Sequence, residues 1–393
     1  MNKRKNMKIE MKKIVLVWFV LCAFEAHAQS LGGEIVRKKE KPTLRSAWSS
    51  SFADNHTHTK VAYKRTDKRL KVIDLDYNTY SDALKIEADK GNASAQYALS
   101  NVYVKGMGIA ENETLALRYL KMAVDKKYPA AQFTWGIMLQ KDIVGIKTNM
   151  EEGHKYIQMA ANNGLKKAYF ALGRDFYLGL GTSINYTLAR FYWEKIAKED
   201  NSYALYWLGV IYYKGQDVQA NPAKAFDYFM RSAMLRNADA QAMVGMFYLH
   251  GRGVTKNEEK AFEWFMHSAN NGSLEGNHWL AVCYNEGLGV ERNPKEAFKR
   301  YTLSAEQGFA ESQVRLGIHY MCGDDVAPKD VKKAMGYFIS SANQGNALAQ
   351  YCLGESYLDG SIGEVDKYKA KIWFQKAAAQ GEQHAIEALN NLK

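Results

Sequence analysis

The chain has 393 residues, five prolines and a formal net charge of +11. That length admits two or three ordinary domains or one extended array, and a proline-poor composition rich in Ala, Tyr and Gly favours helices over strands. Residues 1–75 hold 17 Lys+Arg against 7 Asp+Glu, a balance of +10, while the other 318 hold 36 against 35, so the body lacks the basic stripe that a nucleic-acid surface needs.

The N-terminus explains part of the charge. Lys3, Arg4, Lys5, Lys8, Lys12 and Lys13 precede an 11-residue apolar run, Ile14 to Phe24, and then "AHA", a small-x-small site ending at Ala28. This order is that of a secretory signal peptide over residues 1–28, and the apolar run is too short to span a bilayer. Leu21 stands before Cys22, where a lipoprotein signal wants a small residue. The expected location is therefore periplasmic or extracellular, with no integral membrane segment after cleavage. Residues 29–75 ("RKKEKPTLRSAWSSSF" among them) are rich in Lys, Arg and Ser without any period. They read as a basic flexible linker or tail that could touch anionic surfaces weakly.

From residue 76 onward the chain repeats. Aligned on Ala240, small residues recur at Ala95, Ala131, Ala168, Ala204, Ala240, Gly276, Ser312, Ala349 and Ala385, at intervals of 36 or 37. A period of this length marks a stacked helical array. Four residues on from each anchor stands a large apolar residue, such as Leu172, Leu208 or Leu280, with Trp135 in the second unit. Eight on is an aromatic in every unit but the second, which has Leu139. Spacing of 0, +4 and +8 places all three on one helical face. At +5 a Gly or other small residue (Gly173, Gly209, Gly245, Gly317) lets a neighbouring helix approach closely.

The loops repeat as well. "HGRGVTKN" at 250–257 resembles a phosphate-binding loop, but it recurs as "KGMGIAEN", "LGLGTSIN" and "EGLGVERN" and lacks Gly-Lys-Ser/Thr. It reads as a turn. Gly251 and its counterparts at +11 fall at the C′ position, where φ must be positive; Asp142 stands there in the second unit. Asn112, Asn149, Asn185, Asn221, Asn257, Asn293, Asp330 and Asp366 then cap the second helix of each hairpin. Those second helices close on Gly164, Gly272, Gly308, Gly345 and Gly381.

These residues closely resemble the Sel-one-like repeat family, whose helical hairpins are related to tetratricopeptide repeats. The family pattern is plain in "AVCYNEGLGVERNPKEAF" and "YLDGSIGEVDKYKAKIWFQKAA". The resemblance covers residues 76–393 as eight full repeats plus terminal half-repeats, and implies an all-α, right-handed α-solenoid of helix-turn-helix repeats of about 36 residues, here in a secreted bacterial member. The second repeat is the poorest match. The chain lacks the paired cysteines of a disulfide-stapled branch of the family. Cys283, Cys322 and Cys352 read instead as small apolar residues in helices.

Catalytic motifs are absent: there is no Gly-x-Ser-x-Gly, His-Glu-x-x-His, Ser-x-x-Lys or Cys-x-x-Cys. His56 and His58 have metal-ligand character but no obvious further ligands, so neither a metal nor a cofactor is expected. Resemblance to tetratricopeptide stacks implies that the first helix of each hairpin lines a concave face. The residues expected there are Tyr97, Phe133, Phe170, Tyr206, His278 and Tyr351 at +2, with Arg174, Met246, Tyr177 and Tyr213 at +6 and +9. Such side chains either contact a peptide or fill gaps between helices. The expected function is a non-catalytic protein- or peptide-binding scaffold of the cell envelope or extracellular space. The alternative is an envelope enzyme or a protein that interacts with peptidoglycan or β-lactams, as proposed for some secreted relatives.

Overall fold

A computed structural model describes residues 77–392 except 107, 108, 142, 144 and 362. The expected signal peptide (1–28), the expected linker (29–75), His56, His58 and Asp142 lie outside the described residues. The described residues form 18 helices and no strand, and divide in sequence at Glu199/Asp200 into two compact bodies. The first body holds α1 (Tyr77–Asp89), α2 (Ala93–Lys105), α3 (Glu113–Asp125), α4 (Pro129–Leu139), α5 (Met150–Asn162), α6 (Lys166–Leu178) and α7 (Tyr186–Ala197). The second holds α8 (Ser202–Lys214), α9 (Pro222–Met234), α10 (Ala238–His250), α11 (Glu258–Asn270), α12 (Leu274–Glu286), α13 (Pro294–Glu306), α14 (Ala310–Cys322), α15 (Val331–Asn343), α16 (Ala347–Leu358), α17 (Lys367–Ala378) and α18 (Gln383–Asn391). Even-numbered helices carry the anchor pattern and are called A; odd-numbered ones are called B.

The caps set these boundaries. Each of the eight Asn or Asp residues accepts a bond from the N–H three residues on, at 2.7–3.1 Å, satisfying a donor that the first helical turn leaves open. In "HGRG", Gly251 ends α10 at φ 65°. Gly253 has φ 66°, and a Cβ there would stand 2.5 Å from the backbone of Pro222 and Ala223, where α9 of the preceding hairpin begins. The first glycine stops a helix and the second seats the loop on its neighbour.

Inside five of the eight hairpins the residue at +5 is a glycine that faces a ring from helix B. A Cβ on Gly209 would lie 2.7 Å from Phe229, and one on Gly245 2.6 Å from Phe265. Trp193, Phe338 and Phe374 face Gly173, Gly317 and Gly354 in the same way. These rings are almost wholly buried. The aromatic at +8 packs on a second helix B ring: Tyr103 stacks on Tyr119, Phe176 on Tyr192, Tyr212 on Tyr228 and Tyr320 on Tyr337, with centroids 5.5–6.0 Å apart. A lysine three residues past the cap often lies over that ring, as Lys224 does over Tyr212 at 4.0 Å.

Successive hairpins are joined by a buried polar clamp. Gln241 donates from Nε2 to the Ala233 carbonyl at the end of α9 and accepts at Oε1 from Asn271 beyond α11. Gln313 and Gln350 do the same between their neighbours. Ser232, Ser268, Ser304 and Ser341 each donate to a carbonyl in the first turn of helix A. The Gln bonds give carbonyls at the end of helix B a second donor beside that of the local turn, and the Ser bonds tie together the two helices of one hairpin.

The second repeat is altered. Helix α4 has 11 residues where most A helices have 13, and the longer loop after it sends Ile143 and Ile146 into the core.

Candidate binding surface

The +2, +6 and +9 positions do not all reach the surface. Tyr177, Tyr206, Met246 and His278 are only 7%, 3%, 5% and 1% exposed. As placed here, they pack between helices rather than line an open face. Tyr206 meets Phe229 and Trp207, and Tyr177 meets Trp193 and Tyr186. Tyr97, Phe133, Phe170 and Arg174 in the first body, and Tyr213 and Tyr351 in the second, are half-buried. The hydroxyls of Tyr97 and Thr134 lie 3.0 Å apart, linking consecutive A helices. Tyr213 is bonded through its hydroxyl by Arg252, whose guanidinium lies 5.7 Å from the ring centroid.

Arg174, expected on the concave face, is already engaged by a carboxylate. Its Nη2 donates to Asp175 Oδ1 at 2.9 Å and to Gln140 Oε1 at 2.6 Å. Asp175 Oδ2 accepts from Gln140 Nε2 at 2.7 Å and lies 3.1 Å from His154 Nδ1. Asp175 is fully buried at +7, where other repeats carry Val102, Ile211 or Phe247. An acid on this mostly apolar stripe is visible in the sequence, although spacing does not show which partners meet it.

His278 and Ser312 make a second buried pair, with Nδ1 and Oγ 3.0 Å apart. Burial first, and the nearby Arg315 guanidinium second, hold the imidazole well below its ordinary pKa. The pair is almost wholly sealed from solvent and so has no access to a substrate. Burial pushes the Cys283 thiol up to about 12 and raises that of Cys352 as well, which leaves both unreactive. All three described cysteines are free thiols. Among the described residues no group of three or more His, Cys, Asp or Glu could hold a metal, and no helix is long and apolar enough to cross a membrane.

A cleft of about 320 Å³ opens in the first body between α3, α4 and the start of α5. Leu117, Trp135, Leu139 and Ile146 supply its apolar lining, and Lys121, Lys147, Asn149 and Glu152 its polar lining. The Lys121 ammonium lies 5.1 Å from the Trp135 ring centroid.

Capped hairpins joined by buried clamps define an all-α helical-repeat scaffold, a solenoid unit repeated about every 36 residues. The chain belongs to the Sel1 repeat family: eight repeats match at 93–128, 129–165, 166–201, 202–237, 238–273, 274–309, 310–346 and 347–382, each one A helix and one B helix. It is similar to a protective antigen of uropathogenic Escherichia coli that displays an SLR fold (TM-score 0.60, 30% identity, 80% of this chain and 67% of that one). A Sel1 repeat protein from Oxalobacter formigenes shares the fold at 24% identity (TM-score 0.56, 84% of this chain and 98% of that one). An exopolysaccharide production negative regulator from Rhizobium meliloti (strain 1021) is 30% identical over 137 residues, which are 32% of this chain and 51% of that protein. The chain thus spans about half the length of that curated relative.

Proposed function

We propose that this chain is a non-catalytic scaffold that binds a protein or peptide through the face built by its A helices. The observation that carries this reading is the row of half-buried aromatics Tyr97, Phe133 and Phe170, one per consecutive A helix of the first body. Rings held at repeat spacing on rigid helices suit the aromatic anchors of an interface. The Rhizobium relative, a negative regulator, supports a regulatory rather than chemical task. The charged start, apolar run and Ala28 site support an exported location in the periplasm or outside the cell, which fractionation of the native host checks directly.

The binding test is crosslinked capture from native envelope with the purified chain and with Phe133→Ala/Phe170→Ala. Weaker capture by a variant of unchanged helicity and melting supports the reading. Full capture by the folded variant removes these rings from the interface. Turnover of peptidoglycan fragments or a β-lactam, abolished by one substitution, would replace the scaffold reading with an enzymatic one.

A further inference from the structure

The cleft in the first body is a place where the repeat omits a side chain. Elsewhere the aromatic at +8 sits between helix B of its own hairpin and helix B of the hairpin before. Phe176, for example, meets Tyr192 of its own hairpin and His154 of the preceding one. In the second repeat the +8 residue is Leu139, and the cleft lies where the same two flanks would enclose a ring, between Leu117 of α3 and Glu152 of α5. The lysine that covers the ring in four other hairpins is replaced by Glu152, whose carboxylate accepts from Asn149 Nδ2 at 3.0 Å. Cationic groups come instead from Lys121 and Lys147. Among the described residues neither pairs with a carboxylate, and both are exposed.

We propose that this cleft is a socket for one aromatic side chain of an acidic peptide segment. The ring would take the slot that the chain's own pattern fills with Tyr or Phe, and flanking carboxylates would meet Lys121 and Lys147. The volume, about 320 Å³, is at the low end of ligand pockets (about 300–1,000 Å³), enough for one side chain and not for an extended ligand. A ring there meets Trp135 beneath a lysine, an arrangement favoured by both stacking and cation–π attraction. The socket rests on the peptide-binding reading above but is built by other residues than the Phe133/Phe170 row, so each can fail alone.

The test is fluorescence anisotropy of the full chain with a labelled peptide, Gly-Asp-Glu-Phe-Glu-Asp-Gly, and with versions carrying Ala for Phe or Lys for each acid. The expected result is binding of the first peptide and a loss of about tenfold or more for either replacement. Leu139→Tyr restores the repeat pattern and refills the slot, so it should lose binding to a similar degree while melting at the same temperature or higher. Lys121→Glu/Lys147→Glu alters only exposed residues and should weaken binding without disturbing the fold, which secures the test if Leu139→Tyr misfolds. Equal binding of the Ala peptide, equal binding by folded Leu139→Tyr or by the charge-reversed variant, or no binding at all overturns the socket. N-acetyl-phenylalanine matching the peptide would make a small aromatic acid the occupant and overturn the peptide assignment. Phe133→Ala/Phe170→Ala should leave this binding unchanged, so loss of native capture with the labelled peptide still bound, or the reverse, shows which reading has failed.

Discussion

Gly245 lies against the ring of Phe265 so closely that a Cβ on the glycine would stand 2.6 Å from it. Phe265 is fully buried and cannot swing aside. Gly245→Leu should therefore cost about 1–3 kcal/mol or more by overpacking, exceeding the roughly 1 kcal/mol of helix propensity that glycine forfeits. Urea melts measure this, and adding Phe265→Ala should recover part of the loss, because residues in contact couple. A Gly245→Leu melt matching that of the unaltered chain would show that the close approach is not needed.

The Gln241 clamp should behave as a polar link between hairpins. Gln241→Leu removes one of the bonds that the Ala233 carbonyl accepts, leaving that from the Arg236 N–H, and takes away the partner of the Asn271 amide. The cost is about 0.5–1.5 kcal/mol for a lost hydrogen bond. Asn271 is exposed and can turn to water, so the effect should fall in the lower half of that range. Chemical denaturation resolves it. A change below about 0.5 kcal/mol, the scatter of ordinary surface substitutions, would mean that water replaces the clamp fully.

The A and B helices, their caps and the +5 contact were legible in the sequence because each depends on one residue type at one register. A side chain that completes such a local rule announces itself by recurrence. The Gln clamp also recurs, yet its partners lie 8 residues back and about 30 ahead, so the period alone did not give it meaning. The +2 stripe was harder. Tyr206 and Phe170 occupy the same register, but Tyr206 is packed against Phe229 and Trp207 while Phe170 stays half-buried. Exposure at one register thus depends on the neighbours each side chain meets. Asp175 and its partners were missed for a related reason: His319 and Ser356 are also polar at that register, so a polar residue there does not by itself name its partners.

Stability should carry a titration signature from Glu355. Burial first, then the nearby Asp359 and Glu382 carboxylates, push its pKa from 4.5 up to about 6. A folded pKa above the unfolded one means that the native state favours the protonated form. The associated stability is present below about pH 4.5 and lost as pH rises through 6. Glu355→Gln should thus stabilise the second body by about 1–2 kcal/mol at pH 7–8 and match the unaltered chain near pH 4. His250 acts in the opposite sense. Burial and then Arg252 and Lys256 lower its pKa to about 4, so its contribution is present above pH 6.5 and lost as pH falls toward 4. Melting the two chains in parallel from pH 4 to 8 cancels the His250 slope and leaves that of Glu355. A difference that does not change with pH would rule out this account.

Arg174 and Asp175 should prove strongly coupled. The carboxylate is fully buried and accepts from Arg174 and Gln140, with His154 Nδ1 3.1 Å away. Asp175→Ala removes the only anion in that set and leaves the Arg174 charge uncompensated, which should cost about 3–5 kcal/mol. Arg174→Ala leaves Asp175 with only Gln140 and His154 and should also destabilise, by less, because the guanidinium is about a third exposed and part of its loss is repaid by water. The double variant should be less destabilised than the sum of the two, with a coupling of about 0.5–3 kcal/mol in a double-mutant cycle. The same cycle bears on binding. Because the Arg174 charge is engaged by its own neighbour, Arg174→Ala should weaken partner capture less than Phe170→Ala does, once both are compared at temperatures where each is fully folded. Strict additivity in the melts would show the Arg174–Asp175 bond to be incidental, and a larger capture defect for Arg174→Ala would return the guanidinium to the interface as a carboxylate-binding group.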